Sequence, residues 1–149
     1  MDPLSVTASA ITLLGAAGGT IKVVYDAIST FKDAPREIKA HSKSLESFCF
    51  TINNLKLACE QIPNEFPLNL DRCGLEELTQ EARVLEKKLK TKSARITANN
   101  VGRWHEGCKW LLFDLQTKKF FKSLDTWNIV LFQALWTAQM LVICVRLHI

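Results

Sequence analysis

Few residues in this 149-residue chain stand at spacings that could support chemistry, and the first candidates are glycines. A phosphate-binding loop needs Gly, four residues, then Gly-Lys-Ser/Thr, so that backbone amides cradle the phosphates and the lysine reaches them. Gly15, Gly18, Gly19 and Lys22 approach that composition, but Lys22 is displaced and no hydroxyl follows it. The segment is not Gly-x-Gly-x-x-Gly either, and no strand pattern precedes it. His105 and Cys108 share helical spacing and could supply half a metal site. A structural zinc takes four ligands, and no second pair is evident. His41 falls on an apolar helix seam, where a core-edge histidine with a satisfied ring is the ordinary reading. Glu76 and Glu77 are adjacent acids on a charged face and read as solvated. No Gly-x-Ser-x-Gly elbow occurs. These residues predict no enzyme, no metal, no cofactor and no small-molecule substrate.

Two features bear on partners instead. The basic run Arg83, Lys87, Lys88, Lys90, Lys92 and Arg95 could dock on anionic lipid or on an acidic protein. It also reads as a solvated helix end whose lysines suit the negative pole of the helix dipole. Aromatics do not interleave with these bases, so single-stranded nucleic acid is not expected. Trp104, Trp110, Trp127 and Trp136 cluster late in the chain. Their amphipathic rings suit a lipid interface or a packed core.

The elements that must position these residues are helices, because no stretch alternates with period two. The patterning predicts an all-α helical bundle of four to five helices with a long C-terminal helix, forming one domain over residues 1–149. Helices are expected at about 3–31, 34–61, 71–92, 104–113 and 114–147. Asp2 before Pro3 is a helix start, since Asp can accept an end amide and Pro at the first position has none to leave unpaired. The seam of that first helix is Leu4, Thr7, Ile11, Leu14, Gly18, Ile21, Tyr25 and Ile28. The face at Ser5, Ser9, Thr12, Ala16 and Gly19 is small and mildly polar. The second helix has the seam Ile38, His41, Leu45, Phe48, Ile52, Leu55, Cys59 and Ile62, and Pro63 and Pro67 then force a loop. The third carries Leu75, Leu78, Ala82, Leu85 and Leu89, with Thr91 to Gly102 read as a loop. The last has the seam Leu124, Trp127, Leu131, Ala134, Ala138, Leu141 and Val145.

From Pro3 to Ile21 no side chain is charged, a run nearly long enough to span a bilayer. Gly15-x-x-x-Gly19 would let two helix backbones approach closely in lipid. A face of Ser, Thr and Gly makes a poor lipid-facing surface but a workable seam between helices. The expectation is therefore a bundle helix able to insert later, with Leu4, Ile11, Leu14, Gly15, Gly18, Gly19 and Ile21 as its working residues. A secretory signal is not expected, since Asp2 and no Lys or Arg precedes the run. Residues 126 to 145 are also uncharged, but Thr126, Asn128, Gln133, Thr137 and Gln139 dilute them, so burial between helices is the expected account.

Composition agrees with a globular chain: 48% hydrophobic, 23% charged, and a net charge of +4 that permits attraction to anionic headgroups. Cys49, Cys59, Cys73, Cys108 and Cys144 are odd in number and contain no Cys-x-x-Cys, and no Asn-x-Ser/Thr sequon occurs. Together these point to a reducing, cytoplasmic setting with buried thiols used as small hydrophobes.

The opening Met1-Asp2-Pro3-Leu4-Ser5-Val6-Thr7-Ala8-Ser9, followed by Ile11 and Leu14-Gly15-Ala16-Ala17-Gly18-Gly19, resembles the start of the fungal HeLo-like domain. That domain stands at the front of fungal STAND (NLR-like) receptors, in a family named for azaphilone pigments biosynthesis cluster protein L. Leu45, Leu55, the acidic-to-basic third helix, Lys109-Trp110-Leu111 and a closing helix through Leu124, Leu131 and Leu135 agree in order, so the resemblance spans nearly the whole chain. It implies a helical signalling module of regulated cell death. There, an activated oligomer inserts its N-terminal helix into a membrane, with Leu4 to Tyr25 as the inserting residues and Gly15 and Gly19 at the seam. The implied partners are a protein or a second copy of the chain, together with an anionic membrane that recruits it. In the receptors this domain precedes a nucleotide-binding module. No Walker motif occurs in these 149 residues, so the trigger is expected from a partner. The resemblance also admits a soluble accessory protein of a fungal secondary-metabolite cluster with no membrane action. The segment Trp127 to Ile149 is richer in Trp, Val and Ile than a bundle helix requires, which suits a partner-binding helix, a membrane contact or a drifted gene product.

Overall fold

A computed structural model describes residues 3–29, 35–62, 70–98, 110–111 and 113–147, with side chains described from residue 11 in the first helix and up to residue 91 in the third. Among the described residues four long helices make up the fold: α1 (Pro3–Ser29), α2 (Arg36–Glu60), α3 (Arg72–Ala98) and α4 (Leu115–Leu147). Among the described residues there is no strand. Trp110, Leu111 and Phe113 are helical just before α4, and Leu111 is buried. Residues 104–109 of the expected short helix, with Trp104, His105 and Cys108, lie outside the described residues.

The ends of the helices follow from local chemistry. Asp71 precedes α3, and its Oδ1 accepts the Gly74 amide at 3.1 Å. Asp114 precedes α4, and its Oδ2 accepts both the Thr117 amide at 3.0 Å and the Thr117 hydroxyl at 2.8 Å. Each satisfies amides that have no partner inside the helix. Pro35 precedes α2, and its carbonyl takes the Lys39 amide. At the far end of α2 the Gln61 amide bonds back to Ala58 O, tightening the last turn before the prolines. The third helix corrects the expectation of a loop from Thr91: it runs on to Ala98. No proline or glycine interrupts residues 91–98, and polarity alone does not stop a helix.

Cross-contacts give the direction of each helix. Gly18 lies against Ile52, Gly15 lies near Lys56, and the Cys49 thiol points at the Gly18 carbonyl, so α1 and α2 are antiparallel. His41 stacks on Phe121, Ser44 bonds to Asp125, Asn128 bonds to the Ser44 carbonyl, and Arg146 bonds to Gln61. Positions rise together along that pair, so α2 and α4 are parallel. Gly74 lies against Trp127, while Lys88 reaches Gln116 and Asp114, so α3 and α4 are antiparallel. The bundle thus runs up, down, up, down, but around its circumference the order is α1, α2, α4, α3. α1 touches α2 and α3, and α4 touches α2 and, more lightly, α3. The step from α2 to α3 therefore crosses a diagonal.

One core fills the centre. It takes Leu14, Ile21 and Ile28 from α1, Leu45, Phe48, Ile52 and Leu55 from α2, and Leu75, Leu78, Ala82, Leu85 and Leu89 from α3. From α4 it takes Phe120, Phe121, Leu124, Leu131, Leu135 and Ala138. Two glycines permit close approach. A Cβ on Gly18 would stand 3.2 Å from Ile52 Cγ2, and a Cβ on Gly74 would stand 3.1 Å from the Trp127 ring.

Candidate interaction surface

His41, Cys49 and Cys59, which could carry chemistry, are occupied with packing. The His41 ring stacks on Phe121 with centroids 3.8 Å apart and planes 8° from parallel. Burial lowers its pKa, against the opposing pull of Asp125 and Glu37. Cys49, Cys59, Cys73 and Cys144 are free thiols; Cys59 is buried and Cys49 half-buried, but Cys73 and Cys144 are exposed, which corrects the expectation of buried thiols at those two positions. Burial raises the pKa of Cys49 and of Cys59, which keeps both protonated and poorly nucleophilic. Among the described residues no group of three His, Cys, Asp or Glu could hold a metal.

The basic run does not converge on one face. Lys88 turns toward the start of α4, where it reaches Asp114 Oδ2 at 3.6 Å and Gln116. Lys90 pairs with Glu86 at 2.7 Å, one turn back on the same helix. Lys87 is exposed. The side chains of Lys92 and Arg95 lie outside the described residues. Burial acts to raise the Asp114 pKa, but the two Thr117 bonds and Lys88 outweigh it, and the carboxyl is held below its usual range.

The residues singled out in α1 divide between two faces. Leu14 and Ile21 are fully buried and Ile11 packs at the edge of the core. Gly18 is the point of close approach, and it serves α2 of the same chain. Gly19 faces open space, and Gly15 has only the end of the Lys56 side chain nearby. Leu4 lies in α1 with its side chain outside the described residues.

The uncovered apolar surface is on α4, which is 33 residues long and so about 50 Å. Ile129, Phe132, Trp136, Met140, Ile143 and Leu147 are 63, 61, 61, 44, 50 and 79% exposed. They follow one another at steps of three or four and so form a second apolar row, beside the row that enters the core. Positions 126 to 145 contribute no charge, and Arg146, beside the end of the row, bonds to Gln61 on α2. The parallel register with α2 sets Phe50 about level with Phe132 and Leu57 about level with Met140. Both α2 side chains are exposed, at 67 and 56%. Scattered exposed apolar residues are normal, but a continuous row of this length marks a contact surface. The expectation of burial between helices therefore holds for only one side of α4.

Spacing alone could have found this row. Reading positions 129 to 147 for two interleaved seams, rather than one, separates the core-facing residues from the solvent-facing ones. Two helices, Ile11–Ser29 of α1 and Leu115–Leu147, are long and apolar enough to cross a membrane. No family model, characterised protein or solved structure matches the chain.

Proposed function

We propose that the chain is a non-enzymatic helical interaction and signalling module. The observation that carries this reading is the solvent-facing row on α4. It is apolar, carried on a helix, and exposed, with no covering element among the described residues. The resemblance to HeLo-like domains supplies the context, regulated cell death, and the second step, insertion of α1 into an anionic membrane after self-association. The open face at Gly15 and Gly19 supports that step, since two copies of α1 could close on it without first unpacking the core.

The test is flotation of the full chain with anionic and neutral vesicles, with dye release read in the same tubes. Gly15→Leu with Gly19→Leu is the informative variant, because both positions have room in the bundle. Release that the double substitution abolishes, at unchanged helix content, is the expected result. Unchanged release rejects the seam. A chain that ignores vesicles and stays monomeric at about 100 μM, a concentration at which even weak contacts form, overturns the module reading.

One observation favours the alternative of a soluble accessory protein in a secondary-metabolite cluster. The other face of α1 is locked into the core through Leu14, Ala17, Ile21, Val24 and Ile28, so insertion must first open the bundle. That reading expects no vesicle binding and a co-purifying protein.

A further inference from the structure

We propose that the outer row of α4 is the interface of a homodimer, in which two copies pack α4 against α4, antiparallel, about a two-fold axis level with Ala138. This rests on the reading of the chain as an interaction module and names its partner. The area is the first argument. If a large apolar side chain presents about 200 Å² when bare, the row offers roughly 700 Å², close to the ~800 Å² each partner gives to a standard interface. Phe50 and Leu57, exposed on the neighbouring α2 at about the same level, add apolar surface beside it.

The rhythm is the second argument. Steps of three, four, four, three and four from Ile129 to Leu147 follow the three-four alternation of a knobs-into-holes seam with one extra four. Exposed Gln133, Thr137 and Gln139 border the row as a polar rim would. A helix built to lie in a lipid headgroup layer carries Lys and Arg along its polar face. α4 has none between positions 126 and 145, and Lys118, Lys119 and Lys122 stand together at one end. The occupant that fits is therefore protein of the same character.

Charge chooses the direction. A parallel pair would set Lys118 and Lys122 of one copy beside the same lysines of the other. An antiparallel pair centred on Ala138 puts the two lysine clusters at opposite ends of the interface, far from each other. In that arrangement Trp136 of each copy meets Met140 of the other, an indole against a thioether, which is a favourable contact. A two-fold interface of this kind is closed, so it yields a dimer and not a filament.

Sedimentation velocity on the full chain across a concentration series tests the inference. The wild-type chain is expected to dimerise. Trp136→Glu should weaken the dimer by about thirtyfold or more, the effect of losing a central aromatic anchor. Its helix content should not change, because the side chain is 61% exposed. Trp136→Lys combined with Met140→Glu then reads direction. Antiparallel packing faces each lysine with a glutamate and should recover about tenfold of the loss, whereas parallel packing faces like with like and recovers nothing. A dimer indifferent to Trp136→Glu, or no recovery in the charge pair, overturns the interface or its direction. A monomer that floats with neutral vesicles, and loses flotation on Trp136→Glu, makes lipid the occupant. That outcome overturns the dimer and leaves the module reading standing. A monomer that also ignores vesicles defeats both.

Discussion

α1 and α4 look alike on paper and have opposite fates in the fold. Each contains a long uncharged run, and each is apolar enough to cross a membrane. From residue 11 on, α1 buries its apolar stripe: Leu14, Ala17, Ile21, Val24 and Ile28 face the core, and the water-facing side is mostly small or polar, with Val23 its one exposed large apolar residue. α4 has two stripes and buries one. Leu124, Leu131, Leu135 and Ala138 are inside, and Phe132 and Trp136 are outside. The lesson is that uncharged length says little by itself. What separates a core helix from a docking helix is the angular width of its apolar surface, compared with the surface its neighbours can cover.

Substitutions can break that contrast, starting with the largest effect. Ile21→Ala should cost about 2–5 kcal/mol, since a fully buried side chain leaves a cavity. Ile143→Ala, at half exposure, should cost the monomer under about 0.5 kcal/mol. Urea denaturation of both at low protein concentration measures the difference, and equal losses would mean that the α4 row is covered. Next come the glycines of α1. Gly18→Leu must push Ile52 aside and should destabilise by about 1–3 kcal/mol. Gly19→Ala meets nothing and should stabilise by about 0.5–1 kcal/mol through the lower backbone entropy of alanine. Thermal melts should show opposite signs at the two adjacent positions.

On α4 the anchoring is at the charged end. Asp114→Ala removes the acceptor of the Thr117 amide and hydroxyl and should cost about 1 kcal/mol. Asp114→Asn should retain most of it in the same urea titration. The smallest expected effect is from His41. Its folded pKa lies below 6.5, so the unfolded chain binds the proton more readily. Its contribution is fully present above pH 6.5 and is lost as pH falls from there through the lowered folded value. Stability should therefore decline as pH falls below about 6.5, the unfolded value, and level off once pH is below the lowered folded value. His41→Phe should flatten the slope, and a slope unchanged by that substitution would assign the proton uptake elsewhere.

Much of the architecture is readable from spacing. The stripe Leu75, Leu78, Ala82, Leu85 and Leu89 is buried throughout, because a single clean stripe has one place to go. The seam of α2 is equally plain, with His41 at its edge resting on Phe121. The order of helices around the bundle is not readable. It depends on pairings such as Ser44 with Asp125 and Gln61 with Arg146, which lie more than eighty positions apart. The end of α3 is obscured because Thr91 to Ala98 have no apolar stripe, and helix continuation there needs only the absence of a breaker. The outer row on α4 is hidden in the composition. The enrichment of Trp, Val and Ile after Trp127 signals a surplus of apolar surface, but composition does not say which side lacks a neighbour.

The diagonal step from α2 to α3 bears on how the chain leaves the ribosome. α1 and α2 can close on each other as a hairpin as soon as both have emerged. The flank of α2 that will receive Phe121, Asp125 and Arg146 has no local substitute, since α3 docks on α1 instead. It waits for the 33 residues of α4, which take about 2–7 s to synthesise at ordinary rates of translation. During that interval Leu45, Phe48 and Leu55 lack their final neighbour, and a holding chaperone has its natural target there.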